Sequence, residues 1–133
     1  MRGFGVNSTR SSYAICRVTL AFIWFYHGLV PKLLSQHKDE LAMNMALGMS
    51  HAEAVNAAQL AGIAEIVMAL CMLVFWRQRW PLWLTLAAMP VLLTFVLLVQ
   101  PQLALGAFNP VTTNIAVMAL AWLTLQLQHE QST

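Results

Sequence analysis

The segment LWLTLAAMPVLLTFVLLV, residues 82–99, carries no polar face. A helix that is apolar all round would in water have to be buried on every side. The rest of the chain argues against water as the solvent. Charged residues make up 9% of the sequence and hydrophobic ones 59%, whereas soluble domains carry roughly 25% charge. Mean hydropathy is +0.66. At 133 residues the chain is long enough for one domain.

A membrane helix needs about 20 mostly apolar residues. Four stretches qualify, at about 12–34, 55–76, 81–99 and 110–127. The sequence therefore predicts an all-α integral membrane four-helix bundle forming a single domain. The basic residues before the first apolar stretch imitate a secretory leader. The stretch is longer than such a leader needs and no clean small-x-small site follows it, so it reads as a retained first span.

Lysines and arginines in loops set orientation. Arg2, Arg10 and Arg17 precede or open the first span, and Arg77 and Arg79 fill the connection between the second and third. Lys32 and Lys38 in the first connection are offset by Asp39, Glu40 and Glu53, and the third connection is uncharged. Both termini are therefore expected in the cytoplasm, with Trp76, Trp80 and Trp83 in the interfacial belt.

The long first connection is patterned. KDELAMNMAL reads as a short amphipathic helix stopped at Gly48, lying at the outer interface as a lid. Ser50 and Glu53 have capping-box spacing, so the second long helix begins at His51. Asn109 followed by Pro110 marks the start of the last one.

Ionisable groups inside a span cost roughly 2.5–3.5 kcal/mol on insertion scales and are functional candidates. His27 lies roughly 10 Å in from the outer end of its helix, Glu65 roughly 15 Å and Asn114 roughly 7 Å, at about 1.5 Å per residue. Lys32 sits at the outer end. These residues are expected to converge in a polar outer-half cavity, leaving the cytoplasmic half apolar. Pro31 cannot donate to the His27 carbonyl, and Gly28 permits close approach. Trp24, His27, Gly28 and Pro31 share one helical face, as do Gln59, Gly62 and Glu65.

An isolated Glu65 in hydrocarbon is neutral, whereas beside His27 or Lys32 it stays charged. A Glu–His pair at partial depth is suited to passing protons between a ligand and the outer phase. That is the chemistry of quinone reduction or oxidation. Glu65 and His27 are thus the candidate catalytic residues. Lys32, Asn114, Asn109, Trp24 and Gln59 are the candidate ligand-binding residues, and a quinone is the candidate cofactor. Each has a plain structural alternative: an interhelical hydrogen bond for Glu65 and His27, snorkelling for Lys32, a cap for Asn109.

Cys16 and Cys71 form no CxxC motif and read as small apolar fillers, with no metal site implied. Met43, Met45 and Met49 read as an adaptable lid surface. The net charge of +2 suggests no nucleic-acid partner.

FIWFYHGLVPKLL, ELAMNMALGMS, AGIAEIVMAL and FNPVTTNIAVMAL, in this order, resemble the DoxX-like family of small bacterial four-helix membrane proteins. The resemblance runs from about Tyr13 to Leu127. Its most specific parts are H-G-x-x-P-K ending at Lys32, G-x-x-E from Gly62 to Glu65, and N-P-x-x-x-N from Asn109 to Asn114. It implies a multi-pass protein of the bacterial cytoplasmic membrane. It also implies His27, Lys32, Glu65, Asn109 and Asn114 as motif residues. Relatives are associated with membrane redox work, including a thiosulfate:quinone oxidoreductase subunit and a mycobacterial oxidoreductase complex. Expected partners are the lipid bilayer, a quinone or membrane redox subunit, and a further copy of the chain. The competing expectations are a non-catalytic binding or assembly subunit and a small-solute or lipid-handling protein, the latter disfavoured by the narrow bore of four short helices.

Overall fold

A computed structural model describes the backbone of residues 2–132 and the side chains of residues 8–132. Five α-helices follow in order: α1 (Arg2–Gly28), α2 (Lys38–Ala46), α3 (His51–Val74), α4 (Trp80–Val99) and α5 (Pro110–Glu130). A π-helical turn, Leu29–Leu34, extends α1, and a 3-10 turn, Pro101–Leu105, follows α4. Four helices are long and apolar enough to cross a membrane: Ser8–Leu34, His51–Val74, Trp80–Val99 and Pro110–Glu130. The chain is an all-α, multi-pass membrane bundle.

Helix α1 lies between α3 and α5, and α4 packs chiefly against α5. One core joins all four spans: Leu20, Ala21 and Trp24 meet Met68, Ala69 and Met72, then Leu82 and Met89, then Val117, Ala121 and Leu125. Only 17% of the α4 apolar window is buried in the bundle. The remaining surface, including Val91 and Leu98, is left to lipid, which resolves the all-round apolarity of this segment. Gln131 Nε2 donates to the Thr9 carbonyl at 3.3 Å, so the two ends of the chain meet on one side.

Local signals set the boundaries. Ser50 accepts from the Glu53 amide while Glu53 accepts from the Ser50 amide, and this reciprocal box opens α3 by satisfying two otherwise orphaned donors. Asn109 Oδ1 accepts from the Thr112 amide at 2.9 Å, starting α5. After α2 the chain turns at Gly48, where φ is +91°; the left-handed conformation suits glycine there.

The stripe that α1 buries has a charge near each end. Tyr13, Arg17, Leu20, Ala21, Trp24, Gly28 and Lys32 all face inward. His27 falls outside this stripe and is exposed. The expected shared face of Trp24 and His27 is therefore divided, with only Trp24 pointing into the bundle. Its indole Nε1 donates to Thr85 Oγ1 on α4 at 3.0 Å.

The half that carries the termini, expected to be apolar, is not. Arg17 is fully buried at the end of the bundle that carries the termini. Its Nε donates to the Met72 carbonyl at 2.8 Å. One Nη donates to Tyr13 Oη at 2.9 Å, and the other to the Phe75 and Gln78 carbonyls at 2.6 and 3.1 Å. Tyr13 in turn donates to the Trp76 carbonyl. From α5, Gln128 Nε2 donates to the Arg77 carbonyl at 2.5 Å. The last carbonyls of a helix have no partner within it, and in lipid they must find one in protein. The guanidinium fork, with five donors in a plane, meets that need at the end of α3.

Candidate functional site

At the opposite end of α1, Pro31 leaves the coil without one amide. The chain responds by widening into the π turn at Leu29–Leu34. The Ser35 amide reaches the Val30 carbonyl at 3.0 Å, and the His37 amide reaches the Pro31 carbonyl at 2.8 Å. Single π turns commonly mark functional positions. This one carries Lys32, which is buried.

Helix α3 comes unusually close to α1 here. A Cβ placed on Gly28 would collide with the Gly62 carbonyl oxygen, and would lie 3.0 Å from Glu65 Cβ. A Cβ on Gly62 would lie 2.7 Å from the Gly28 carbonyl oxygen and 3.0 Å from Lys32 Cβ. Small residues let membrane helices touch backbone to backbone, and Ala54 and Ala58 continue the buried stripe toward the start of α3. Gly62→Ala presses a methyl onto backbone, which no rotamer change relieves. It is expected to cost about 2 kcal/mol, read as a lower midpoint in denaturant titration of the purified protein. A midpoint at or above wild type would contradict the close crossing.

The glycine contact brings two charges together. Lys32 Nζ lies 2.6 Å from Glu65 Oε1 and 3.4 Å from Glu40 Oε1 on α2. The side chains of Lys32, Glu65 and Glu40 are 11%, 12% and 22% exposed, in that order, so the cluster lies mostly out of solvent. Glu65 Oε2 is buried and has no hydrogen-bond partner among the described residues. Lysine has three N–H donors and an ionised carboxylate only accepts. The site therefore offers a cation held between two carboxylates, and one carboxylate oxygen still without a donor.

The amphipathic helix covers this cluster as a lid. Met43 is buried, and Asn44 Nδ2 donates to the Ala54 carbonyl at 3.2 Å. Glu40 is the member that sequence reasoning missed, having been counted only as a loop charge. Its position in the first turn of an amphipathic helix (Lys38–Ala46) was the available signal.

The other expected site residues lie elsewhere or are otherwise occupied. His27 makes no hydrogen bond among the described residues and is exposed. Asn114 Nδ2 turns back to the Pro110 carbonyl on its own helix at 2.8 Å. Asn109 is engaged as a cap at both ends of its amide, with Nδ2 on the Gly106 carbonyl at 3.2 Å. Trp24 spends its N–H on Thr85, and Gln59 is half-buried on α3 without a hydrogen bond among the described residues. The geometry thus joins Glu65 to Lys32 directly, while neither His27 nor Asn114 makes a hydrogen bond to either. Surface grooves lie toward the other end of the bundle, one lined by Arg79, Trp83, Trp122 and His129 between α4 and α5 and one by Ser12, Cys16 and Leu127 between α1 and α5.

A family model described as the DoxX-like family matches residues 21–122, a range that contains Lys32, Glu40, Gly62 and Glu65. No curated protein and no solved structure matches the chain.

Proposed function

The chain belongs to the DoxX-like family, and on that footing we propose that it is a quinone-linked redox subunit of a bacterial cytoplasmic membrane, binding a quinone-type head group at Lys32 and Glu65. The observation that supports this reading is the buried, unpartnered Glu65 Oε2. Beside Lys32, that oxygen forms a donor-and-acceptor pair suited to a ring oxygen that gains or loses a proton. In this reading Lys32 polarises the head-group oxygen, Glu65 exchanges its proton, and His27 passes protons to the outer aqueous phase. Electrons enter and leave through the quinone and a partner subunit, since Cys16 and Cys71 sit on different helices as free thiols.

A second reading has its own observation. Lys32 already faces two carboxylates, so the cluster also serves as a clamp that holds α1, α2 and α3 in an assembly subunit. Solvent extraction of the purified protein separates the two. Quinone at close to one equivalent in wild type, falling at least tenfold in Glu65→Gln and in Lys32→Met, is the expected result. Quinone-free wild-type protein, with a partner retained by all variants, would instead establish the clamp.

A further inference from the structure

The site is not symmetric toward the two redox forms of a quinone-type ligand. We infer that it is built for the reduced, hydroxyl-bearing form, the quinol, in preference to the quinone; the inference rests on the head-group site proposed above.

The reasoning begins with donors and acceptors. Glu65 Oε1 is taken by Lys32 at 2.6 Å, whereas Oε2 is buried and meets no donor among the described residues. An ionised carboxylate can only accept. A quinone presents carbonyl oxygens, which also only accept, so it leaves Oε2 unsatisfied and sets lone pair against lone pair. A quinol hydroxyl both donates and accepts. It gives its proton in a hydrogen bond to Oε2 and takes an N–H from Lys32. That hydrogen bond is charge-assisted, the stronger class.

The donor from Lys32 is at hand. Of its three N–H groups, one serves Glu65 at 2.6 Å, while Glu40 at 3.4 Å is an ion-pair contact and not a hydrogen bond. Glu40 belongs to the lid, at 22% side-chain exposure. A hydroxyl oxygen approaching from the lid side takes an N–H that Glu65 does not use, while Glu65 keeps its own. The pair Lys32 and Glu65 therefore complements a C–O–H group and not a C=O group.

Three probes test this without altering the protein: menadiol kept under anaerobic reductant, menadione, and the dimethyl ether of menadiol, which has the ring but no donor. Dissociation constants are measured by titration of the detergent-solubilised chain. Menadiol is expected to bind at least tenfold tighter than either of the others. In Glu65→Gln the amide supplies an N–H in place of an acceptor, and the preference is expected to vanish or reverse. Equal or tighter binding of menadione by wild type overturns the inference while leaving the head-group site standing. Binding of none of the three overturns both. Should Glu65→Gln fail to fold, the dimethyl ether alone still decides, because matching menadiol in affinity would show that no donor is needed.

Discussion

Replacing Arg17 with Met is expected to be the most damaging single change in the bundle. The loss is on the order of 5 kcal/mol, because the guanidinium serves the carbonyls of Met72, Phe75 and Gln78 and hydrogen bonds to a charged group contribute about 1.5–3 kcal/mol each. Methionine fills much of the space, so the change removes donors more than volume. The aromatic rings under the charge lose a partner as well. The guanidinium lies 5.7 Å from the Tyr13 centroid and 6.0 Å from that of Trp76, within cation–π range. Arg17→Lys should recover only part of the loss, since a single ammonium cannot span carbonyls placed for a planar fork. Denaturant titration in detergent measures all three proteins. A Met variant within about 1 kcal/mol of wild type, the net worth of one hydrogen bond, would sink this account of how α3 ends.

The same residue shows where a single sequence stops being legible. Arg17 was readable as a cytoplasmic charge before an apolar span, and that reading set the expected orientation. In the structure it shares the buried stripe of α1 with Ala21, Trp24 and Gly28. However, nothing in one helix says that the end of another will bring unpaired carbonyls to that spot. The four spans, the lid helix and the caps at Ser50 and Asn109 were legible because each depends on neighbours in sequence: an apolar run, a turn residue, a donor three positions on. The site was legible by residue type and not by partner. Lys32 and Glu65 stood out as costly in lipid, but Glu65 was as open to His27 as to Lys32. The choice is made by the π turn at Leu29–Leu34 and by the meeting of Gly28 with Gly62, a contact between helices that no local pattern encodes. Glu40 was hidden for the same reason, since its role depends on where α2 docks.

Whether the Lys32–Glu65 pair serves binding or only holds helices is settled by comparing stability with ligand retention in one set of variants. Lys32→Met alone strands Glu65 with both oxygens unpaired, and breaking one side of a buried ion pair costs about 3–5 kcal/mol. The double change Lys32→Met with Glu65→Met removes both charges together, and well-packed apolar replacements of a buried pair are often neutral or stabilising. The double variant is therefore expected to regain most of the stability that the single variant loses. The second carboxylate modifies the size of the effect, not its sign. Glu40 at 3.4 Å loses its cation in both variants, but at 22% exposure it turns to solvent. Ligand retention should behave oppositely, staying lost in the double variant even where the fold is restored. That divergence would place the pair in the site itself. Recovery of stability and retention together would instead assign it to helix packing, and coupling between the two substitutions below about 1 kcal/mol, the scale of an exposed ion pair, would mean that the pair is not buried as a unit.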